Sequence, residues 1–252
     1  MGKNSEYRNS WISENLDRIN LTVPKGRKSE LAEYAQEQQQ SVNGFINQAI
    51  NEKIEADKNP EGARIMKIYT IIGGVNGAGK SSFTGVLKES RKDLGRIIDV
   101  DKITAQLGGD PIIGGKEAIR RIDDCLKKGI SFTQETTLSG LRTERTARKA
   151  LEAGYYVRLY YVGLDTVQES IDRIANRVKR GGHNIPSDDV LRRFGSRWDS
   201  VAKVLPYCNE AEFYDNDNGF VKVGEFHNGE FILVGENHPS WVWELKAHLE
   251  QQ

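Results

Sequence analysis

One glycine-rich stretch carries the residues best suited to hold a phosphate. The P-loop pattern is matched by Gly74, four further residues, Gly79, Lys80 and Ser81. The pattern lies between an apolar strand-like run and residues at helical spacing. Glycines let backbone N–H groups curve around an anion, and the following helix adds partial positive charge. Lys80 is expected to reach the β- and γ-phosphates of a nucleotide, and the Ser81 hydroxyl to bind Mg²⁺. The predicted nucleotide-binding residues here are Gly74, Asn76, Gly77, Ala78, Gly79, Lys80, Ser81 and Ser82.

Two carboxylates follow the next strand-like run. Asp99 and Asp101 stand at the end of an apolar run that begins at Ile97. Ligands of open α/β sheets sit at the carboxyl ends of strands, so both acids are expected to point toward the phosphate site. Phosphoryl transfer to a hydroxyl needs a group that orients the nucleophile and accepts its proton, and Asp101 is the better candidate. Asp99 is expected to hold Mg²⁺ through water, although each acid alone could equally be a helix N-cap or a loop acid.

A third cluster combines an acid with hydroxyl groups. Glu135, Thr136 and Thr137 follow the run Ile130–Gln134, which predicts a third strand. At the carboxyl end of that strand, these groups could bind the hydroxyls of a sugar or a ribose. The alternative is that they simply cap the next helix.

The densest basic stretch predicts two helices joined by glycines. Arg173, Arg177 and Arg180 recur at i, i+4 and i+7 on the first predicted helix, and Gly181-Gly182 opens a turn. Ser187 is expected to cap the second helix. Such a pair predicts a lid whose guanidinium groups stabilise a transferring phosphoryl group, with a solvated helix face as the alternative. The arginines of the second helix are Arg192, Arg193 and Arg197.

The elements that must position these clusters alternate between strands and helices. Strand-like runs precede each of the first three clusters, and a fourth run spans Tyr155–Val162. This alternation predicts an α/β fold, with a parallel sheet flanked by helices. Beyond it, Ala211–Tyr214 predicts a fifth strand, and His227-Asn228-Gly229 predicts a hairpin turn between two more strands. A last helix should begin at Ser240.

Residues 1–58 differ in character from the rest and predict a small separate domain. Arg18–Val23 alternates polar and apolar side chains, as a strand with one buried face would. Two helices should follow, capped by Ser29 and Ser41. One strand and two short helices bury too little surface for an independent core, so oligomerisation is expected. The predicted boundaries are 1–58 for the first domain, 59–64 for a linker and 65–252 for the second domain.

Composition limits the partners of the protein. Its 252 residues carry 36 Lys and Arg against 36 Asp and Glu, so no overall charge draws it to nucleic acid or membrane. Its two cysteines, Cys125 and Cys208, match neither a disulfide framework nor a metal site. No apolar segment has the length of a signal peptide or a membrane span. We expect a cytoplasmic protein that does not engage a membrane.

The N-terminal pattern resembles the ribbon-helix-helix family of Arc-type repressors over residues 17–56. The likeness consists of the alternating strand, Val23-Pro24-Lys25-Gly26, a helix and then Ser41–Ile50. It implies a homodimer whose paired strands enter the DNA major groove. Since residues 1–58 hold eight Lys or Arg against nine Asp or Glu, pure dimerisation stays open as the alternative. The candidates for base contacts with operator DNA are Arg18, Asn20 and Thr22.

Four separated motifs of the second domain together resemble the zeta-toxin-type P-loop kinases. They occur in the order Gly73–Ser82, Asp99–Asp101, Glu135–Gly140 and Arg177–Pro186, with Arg192-Arg193-Phe194 after them. The resemblance implies an enzyme that uses ATP and Mg²⁺. Better-known members of that family phosphorylate a hydroxyl of UDP-N-acetylglucosamine.

The same resemblance implies a role for each matching residue. Lys80 and Ser81 would bind ATP and Mg²⁺, and Asp101 would be the base. Glu135 with Thr137 would contact the acceptor. Arg177, together with Arg180 or Arg193, would stabilise the transferred phosphate. Arg193 is also predicted to bind the nucleotide.

The sequence therefore predicts an ATP-dependent small-molecule kinase of toxin–antitoxin type, fused to a ribbon-helix-helix regulatory module. A nucleotide sugar is the suspected acceptor. Two alternatives stay open. One is a DNA-binding transcriptional regulator whose P-loop domain senses a nucleotide without modifying an acceptor. The other is a kinase acting on nucleosides or RNA, against which the balanced charge of the second domain argues.

Overall fold

A computed structural model of the protein describes residues 20–37, 41–58, 66–182, 184–217, 219–227, 229–236 and 238–251. The chain divides into two compact units, Met1–Ile65 and Met66–Gln252. Within the described ranges, no helix combines the length and the apolar character needed to cross a membrane.

The larger unit is built on a seven-stranded sheet. Its strands are β1 (Ile68–Gly73), β2 (Arg96–Asp99), β3 (Phe132–Thr136), β4 (Tyr156–Val162), β5 (Glu210–Asp215), β6 (Val221–His227) and β7 (Glu230–Leu233). Their order across the sheet is β2-β3-β1-β4-β5-β6-β7. Neighbours from β2 to β5 are parallel, and β6 and β7 add an antiparallel hairpin at one edge. The predicted α/β class, fifth strand and closing hairpin are confirmed.

Helices connect the strands and cover the sheet. In chain order the helices are α1 (Arg27–Glu37), α2 (Val42–Lys58), α3 (Lys80–Ser90), α4 (Val100–Gln106), α5 (Pro111–Lys128), α6 (Arg142–Glu152), α7 (Val167–Lys179), α8 (Ser187–Gly195), α9 (Arg197–Val204) and α10 (Ser240–Leu249). The first two belong to the smaller unit, and the others belong to the larger one. A short 3-10 turn, Leu205–Tyr207, follows α9.

The core of the larger unit lies on both faces of the sheet. Ile71 and Ile72 are adjacent in β1, and their side chains enter the two opposite clusters because strand side chains alternate. The first cluster includes Trp241 of α10, which is fully buried. The second includes Phe83 of α3 and Phe194 of α8. Covering both faces is what a parallel sheet requires, since neither face can be left to solvent.

The strand order has a switch point at β1. The connection from β1 leads to β2 on one side, whereas the connection from β3, its neighbour on that side, leads to β4 on the other side. The carboxyl ends of β1, β2 and β3 therefore meet at one edge, with Gly73, Asp99 and Thr136 as their last residues. Ligands of open α/β sheets bind at such an edge.

The smaller unit contains the two predicted helices. Tyr34 of α1 packs edge-on against Phe45 of α2, with ring centroids 5.4 Å apart. The Ser41 hydroxyl accepts a hydrogen bond from the Gly44 N–H at 3.0 Å, which confirms the predicted cap of α2. The predicted cap at Ser29 is wrong, because α1 already begins at Arg27.

The predicted N-terminal strand is not seen as a strand in its described part. Asn20–Val23 has no strand pairing, and Arg18 lies outside the described residues. A strand forms only where a neighbour supplies hydrogen-bond partners, and the expected neighbour here is the same segment of a second copy. Leu21, predicted to be buried in this strand, is 61% exposed.

Candidate active site

The loop between β1 and α3 has the geometry of a phosphate cradle. Gly74, Gly77 and Gly79 have positive φ angles of 147°, 78° and 97°. A Cβ at Gly74 would lie 2.5 Å from the carbonyl oxygen of Val162. A Cβ at Gly77 would lie 2.9 Å from the carbonyl oxygen of Ser170. Only glycine therefore fits at Gly74 and Gly77, for both steric and conformational reasons.

Lys80 is the first residue of α3 and is held inside the loop. Its Nζ donates to the carbonyl oxygens of Gly74 at 2.9 Å and Val75 at 3.0 Å. Burial lowers the pKa of Lys80 to about 8, although the nearby carboxylates of Glu135 and Asp101 favour the charged form. The ammonium group therefore already sits where a phosphate would compete for it.

Ser81 and Thr84 face a buried carboxylate at the end of β3. The Ser81 hydroxyl donates to Glu135 Oε2 at 2.6 Å, and the Thr84 hydroxyl donates to Glu135 Oε1 at 2.7 Å. Glu135 is only 6% exposed. A hydroxyl beside a carboxylate is the kind of oxygen set that Mg²⁺ accepts in nucleotide sites.

The two acids after β2 occupy different positions. Asp99 is buried and caps α4, where its Oδ1 accepts from the Lys102 N–H at 3.2 Å. Its Oδ2 also forms an ion pair with Lys102 Nζ at 3.2 Å. Asp101 lies in the first turn of α4 and is exposed. Both acids line the cavity that contains Lys80.

The loop after β3 directs two hydroxyl groups into the same cavity. Leu138 is buried and has a positive φ of 61°, which is unusual for a residue with a side chain. Its N–H donates to Thr136 Oγ1 at 3.0 Å, and the Thr143 hydroxyl lies 3.3 Å from the same oxygen. The hydroxyls of Thr137 and Ser139, on either side of Leu138, are 2.9 Å apart. Thr136 therefore shapes the turn, while Thr137 and Ser139 face the ligand space.

Three arginines from α7 and α8 reach this cavity. They are Arg173, Arg177 and Arg193. Arg193 Nη1 donates to the side-chain oxygen of Asn76 at 3.0 Å. Its Nε is buried without a hydrogen-bond partner among the described residues. Arg180 caps the C-terminus of α7, is exposed, and is not part of the cavity lining.

The predicted second lid helix is shorter than the sequence suggested. It ends at Gly195, and Arg197 begins α9 instead. The Arg197 guanidinium lies 3.9 Å from the ring centroid of Phe194 and 4.3 Å from that of Trp198, and it pairs with Glu244 at 2.5 Å. Arg197 is thus part of the packing. The predicted Ser187 cap is also wrong, because Pro186 holds the N-cap position and no side chain caps the helix.

The cavity at the carboxyl edge of the sheet has a volume of about 680 Å³. Most residues predicted for the site line it. Gly74 and Ala78 of the loop are buried and are not part of the lining. The predicted residues in the lining are Asn76, Gly77, Gly79, Lys80, Ser81, Ser82, Asp99, Asp101, Glu135, Thr136, Thr137, Arg177 and Arg193.

Some lining residues were not predicted as site residues. Arg173 was seen in the sequence only as part of a basic face, and it is held by Asp217 at 3.1 Å. Pro111 and Ile112 line the cavity because α5 begins at Pro111. The Asp110-Pro111 pair, an N-cap followed by a first-turn proline, was the available signal.

The predicted DNA contacts belong to the smaller unit. Asn20 and Thr22 are exposed, and Arg18 lies outside the described residues. Their role stays a prediction.

A relative is detectable by sequence. No protein-family model matches the chain. A Haemophilus influenzae (strain Rd) protein, described as an uncharacterized protein, is 37% identical over 127 residues, which span 48% of this chain and 88% of the relative. The chain belongs to the family of that protein. The family's sequence likeness therefore covers about half of the chain described here.

Solved structures with the same fold extend further along the chain. A chain from the PezAT chromosomal toxin–antitoxin system of Streptococcus pneumoniae is 18% identical, with a TM-score of 0.50 over 81% of this chain and 86% of that one. A chain from the crystal structure of AvrRxo1-ORF1:-ORF2 with ATP is 14% identical, with a TM-score of 0.54 over 94% of this chain and 92% of that one. These likenesses show a shared mixed α/β fold.

Proposed function

We propose that the protein is an ATP-dependent kinase of toxin–antitoxin type, which transfers the γ-phosphoryl group to a hydroxyl of a small molecule. The observation that carries the proposal is one cavity lined by Lys80, Ser81, Asp101 and arginines from two helices. A shared fold with a chain of a toxin–antitoxin system, and with one crystallised with ATP, supports it. UDP-N-acetylglucosamine or a related nucleotide sugar is the proposed acceptor, by resemblance to the zeta-toxin type.

The residues present fit ATP. Gly74 and Gly77 leave no room for a Cβ against β4 and α7, and their positive φ angles suit a loop whose N–H groups curve around an anion. The buried Nε of Arg193 has no hydrogen-bond partner among the described residues, as expected of a group whose acceptor is a phosphate oxygen. The cavity volume of about 680 Å³ lies within the usual range for small-molecule sites.

The residues present also fit Mg²⁺. Ser81 and Glu135 would hold it, and Asp99 could do so through water. Both carboxylate oxygens of Glu135 already face the hydroxyls of α3, which favours this role over the acceptor contact expected from the sequence. Bound there, Mg²⁺ would neutralise charge on the phosphates of the nucleotide.

Transfer then depends on groups that bind, orient and accept a proton. Lys80 exchanges its carbonyl partners for phosphate oxygens, and Arg177 with Arg193 stabilises charge on the transferred group. Asp101 orients the acceptor hydroxyl and takes its proton. Thr137 positions the acceptor. Arg180 adds its charge only if the segment that carries it closes over the cavity.

The smaller unit is proposed to be a ribbon-helix-helix module that forms a homodimer and regulates the kinase. Leu21, Ile50 and Ile54 are 61%, 40% and 42% exposed, so this unit leaves apolar side chains in solvent. A second copy would cover them. Operator DNA would then be contacted by Asn20 and Thr22, together with Arg18.

Radiolabelled ATP tests the reaction. Incubation with γ-labelled ATP, Mg²⁺ and UDP-N-acetylglucosamine, or with a metabolite extract, should yield a labelled small molecule. Asp101→Asn should still bind ATP but lose at least about a hundredfold in transfer rate, as expected for a general base. Glu89→Gln, an exposed carboxylate at the end of α3, is the matched control and should keep full activity. Unchanged turnover in Asp101→Asn refutes the base assignment, and ATP binding without any labelled product refutes the kinase.

A further inference from the structure

A second cavity lies between α5 and α6 and shares four lining residues with the first. Its volume is about 570 Å³. The first cavity contains the phosphate cradle, and the second extends away from it along the two helices. The residues that line both cavities are Ile119, Ile122, Ser139 and Arg142.

One wall of this second cavity is basic. Arg142, Arg145 and Lys149 occupy positions i, i+3 and i+7 of α6, so they share one face of the helix. They are spread over about 10 Å, given a rise of about 1.5 Å per residue. All three side chains are exposed, and within the described ranges none forms an ion pair. Asp123 of α5 also lines this cavity, which leaves three cations against one carboxylate.

Three basic residues of the neighbouring helix behave differently. On α5, Arg120 and Arg121 both pair with Glu117, at 2.7 and 2.8 Å, and Lys128 pairs with Asp124 at 2.8 Å. Three of the five basic side chains of α5 therefore have a carboxylate partner, whereas the three on the face of α6 that lines the cavity have none among the described residues. Clustered cations beside a low-dielectric wall concentrate positive potential and attract anions.

Apart from Asp123, the opposite wall is apolar. Ile122 is buried, and Ile119 and Leu126 of the same helix also line the cavity. A ligand here would lay an uncharged body on α5 and an anionic group on α6. Its other end would reach Ser139, at the edge of the first cavity.

We propose that this groove anchors the acceptor, and that it takes the phosphate of a phosphorylated small molecule. Arg145 and Lys149 are the specificity-determining residues, and Arg142 stands at the junction with the reaction site. Arginine forks match phosphate oxygens, which makes a phosphate the best-fitting group. The inference rests on the proposed phosphoryl transfer, because that reaction places the acceptor hydroxyl beside Thr137.

A binding experiment tests the groove separately from the reaction. The full chain is saturated with Mg²⁺ and a non-hydrolysable ATP analogue, which occupies the P-loop, and is titrated with inorganic pyrophosphate in a calorimeter. We expect one binding event in the wild type, weakened roughly tenfold or more by Arg145→Ala and lost in Lys149→Glu. Arg148→Ala is the matched control, since this exposed arginine of α6 is not in the lining, and it should bind like the wild type.

The outcomes separate the two proposals. Binding of the analogue without a pyrophosphate event overturns the groove and leaves the kinase proposal intact. Equal weakening by Arg145→Ala and Arg148→Ala also overturns the groove, because it shows only general charge attraction. Failure of the analogue to bind refutes the proposed function. In that case pyrophosphate is titrated into Lys80→Ala and into the double variant Lys80→Ala, Arg145→Ala. Weaker binding to the double variant supports the groove, and equal binding overturns it.

Discussion

The protonation of Lys80 should control how ATP affinity depends on pH. Burial lowers the pKa of this lysine to about 8, so it loses its proton within the range of ordinary buffers. Only the ammonium form attracts phosphate. At any pH at which Lys80 is largely neutral, the free protein must therefore take up a proton when it binds ATP.

The size of the effect follows from the pKa. With a value of about 8, Lys80 is about 90% charged at about pH 7 and about 10% charged at about pH 9. Bound phosphates raise the pKa, since opposite charge favours the ammonium form. The apparent affinity should then fall about tenfold between about pH 7 and about pH 9, with uptake of about one proton at the upper end.

Calorimetry across this pH range, in two buffers of different ionisation enthalpy, measures both the affinity and the proton uptake. Lys80→Arg is the control, because a guanidinium group stays charged throughout and should give a flat profile. Lys80→Met should bind weakly, again without pH dependence. A wild-type affinity that does not change between about pH 7 and about pH 9, or a parallel fall in Lys80→Arg, refutes the reasoning.

The same pKa predicts a stability effect in the absence of nucleotide. The folded pKa lies below the ordinary value of 10.5, so between the two values the unfolded chain binds more protons than the folded one. Stability therefore rises with pH from about 8 toward 10.5, as the buried charge is relieved. Urea unfolding across this window should show the rise in the wild type and lose it in Lys80→Met.

Three further predictions follow from other contacts. Gly74→Ala would force a Cβ to 2.5 Å from a β4 carbonyl oxygen, so it should abolish ATP binding in an equilibrium titration, whereas Gly85→Ala in α3, with open space around it, should bind normally. Asp93→Asn removes the carboxylate that pairs with buried Arg158 at 2.7 Å and should lower the free energy of unfolding by about 2 kcal/mol. Two guanidinium groups lower the pKa of Asp93, so the stability that this carboxylate contributes is present above about pH 4 and is lost as the pH falls below that value. Equal urea midpoints for the variant and the wild type at neutral pH would contradict this reasoning. Glu135→Gln should raise the Mg²⁺ concentration needed for ATP binding roughly tenfold, and an unchanged requirement would remove Glu135 from the metal site.

The sequence alone determined the features that depend on residues close together in the chain. The glycine-rich loop is contiguous, and its glycines are needed for local backbone conformation, so the pattern was sufficient to predict the loop between strand and helix. The alternation of strands and helices likewise predicted the α/β class, and Asn228-Gly229 predicted the hairpin. In each case the deciding interaction is local, or follows from a repeating pattern along one element.

Only the tertiary structure decided which distant groups meet. Glu135 lies 54 residues from Ser81, and its contact with that hydroxyl follows from the placement of β3 beside β1, which no local pattern encodes. Of the arginines on α7, packing turns Arg173 and Arg177 toward the cavity and leaves Arg180 outside it. A helix period places side chains on a face, but the rest of the fold decides whether that face meets a ligand, a core or solvent.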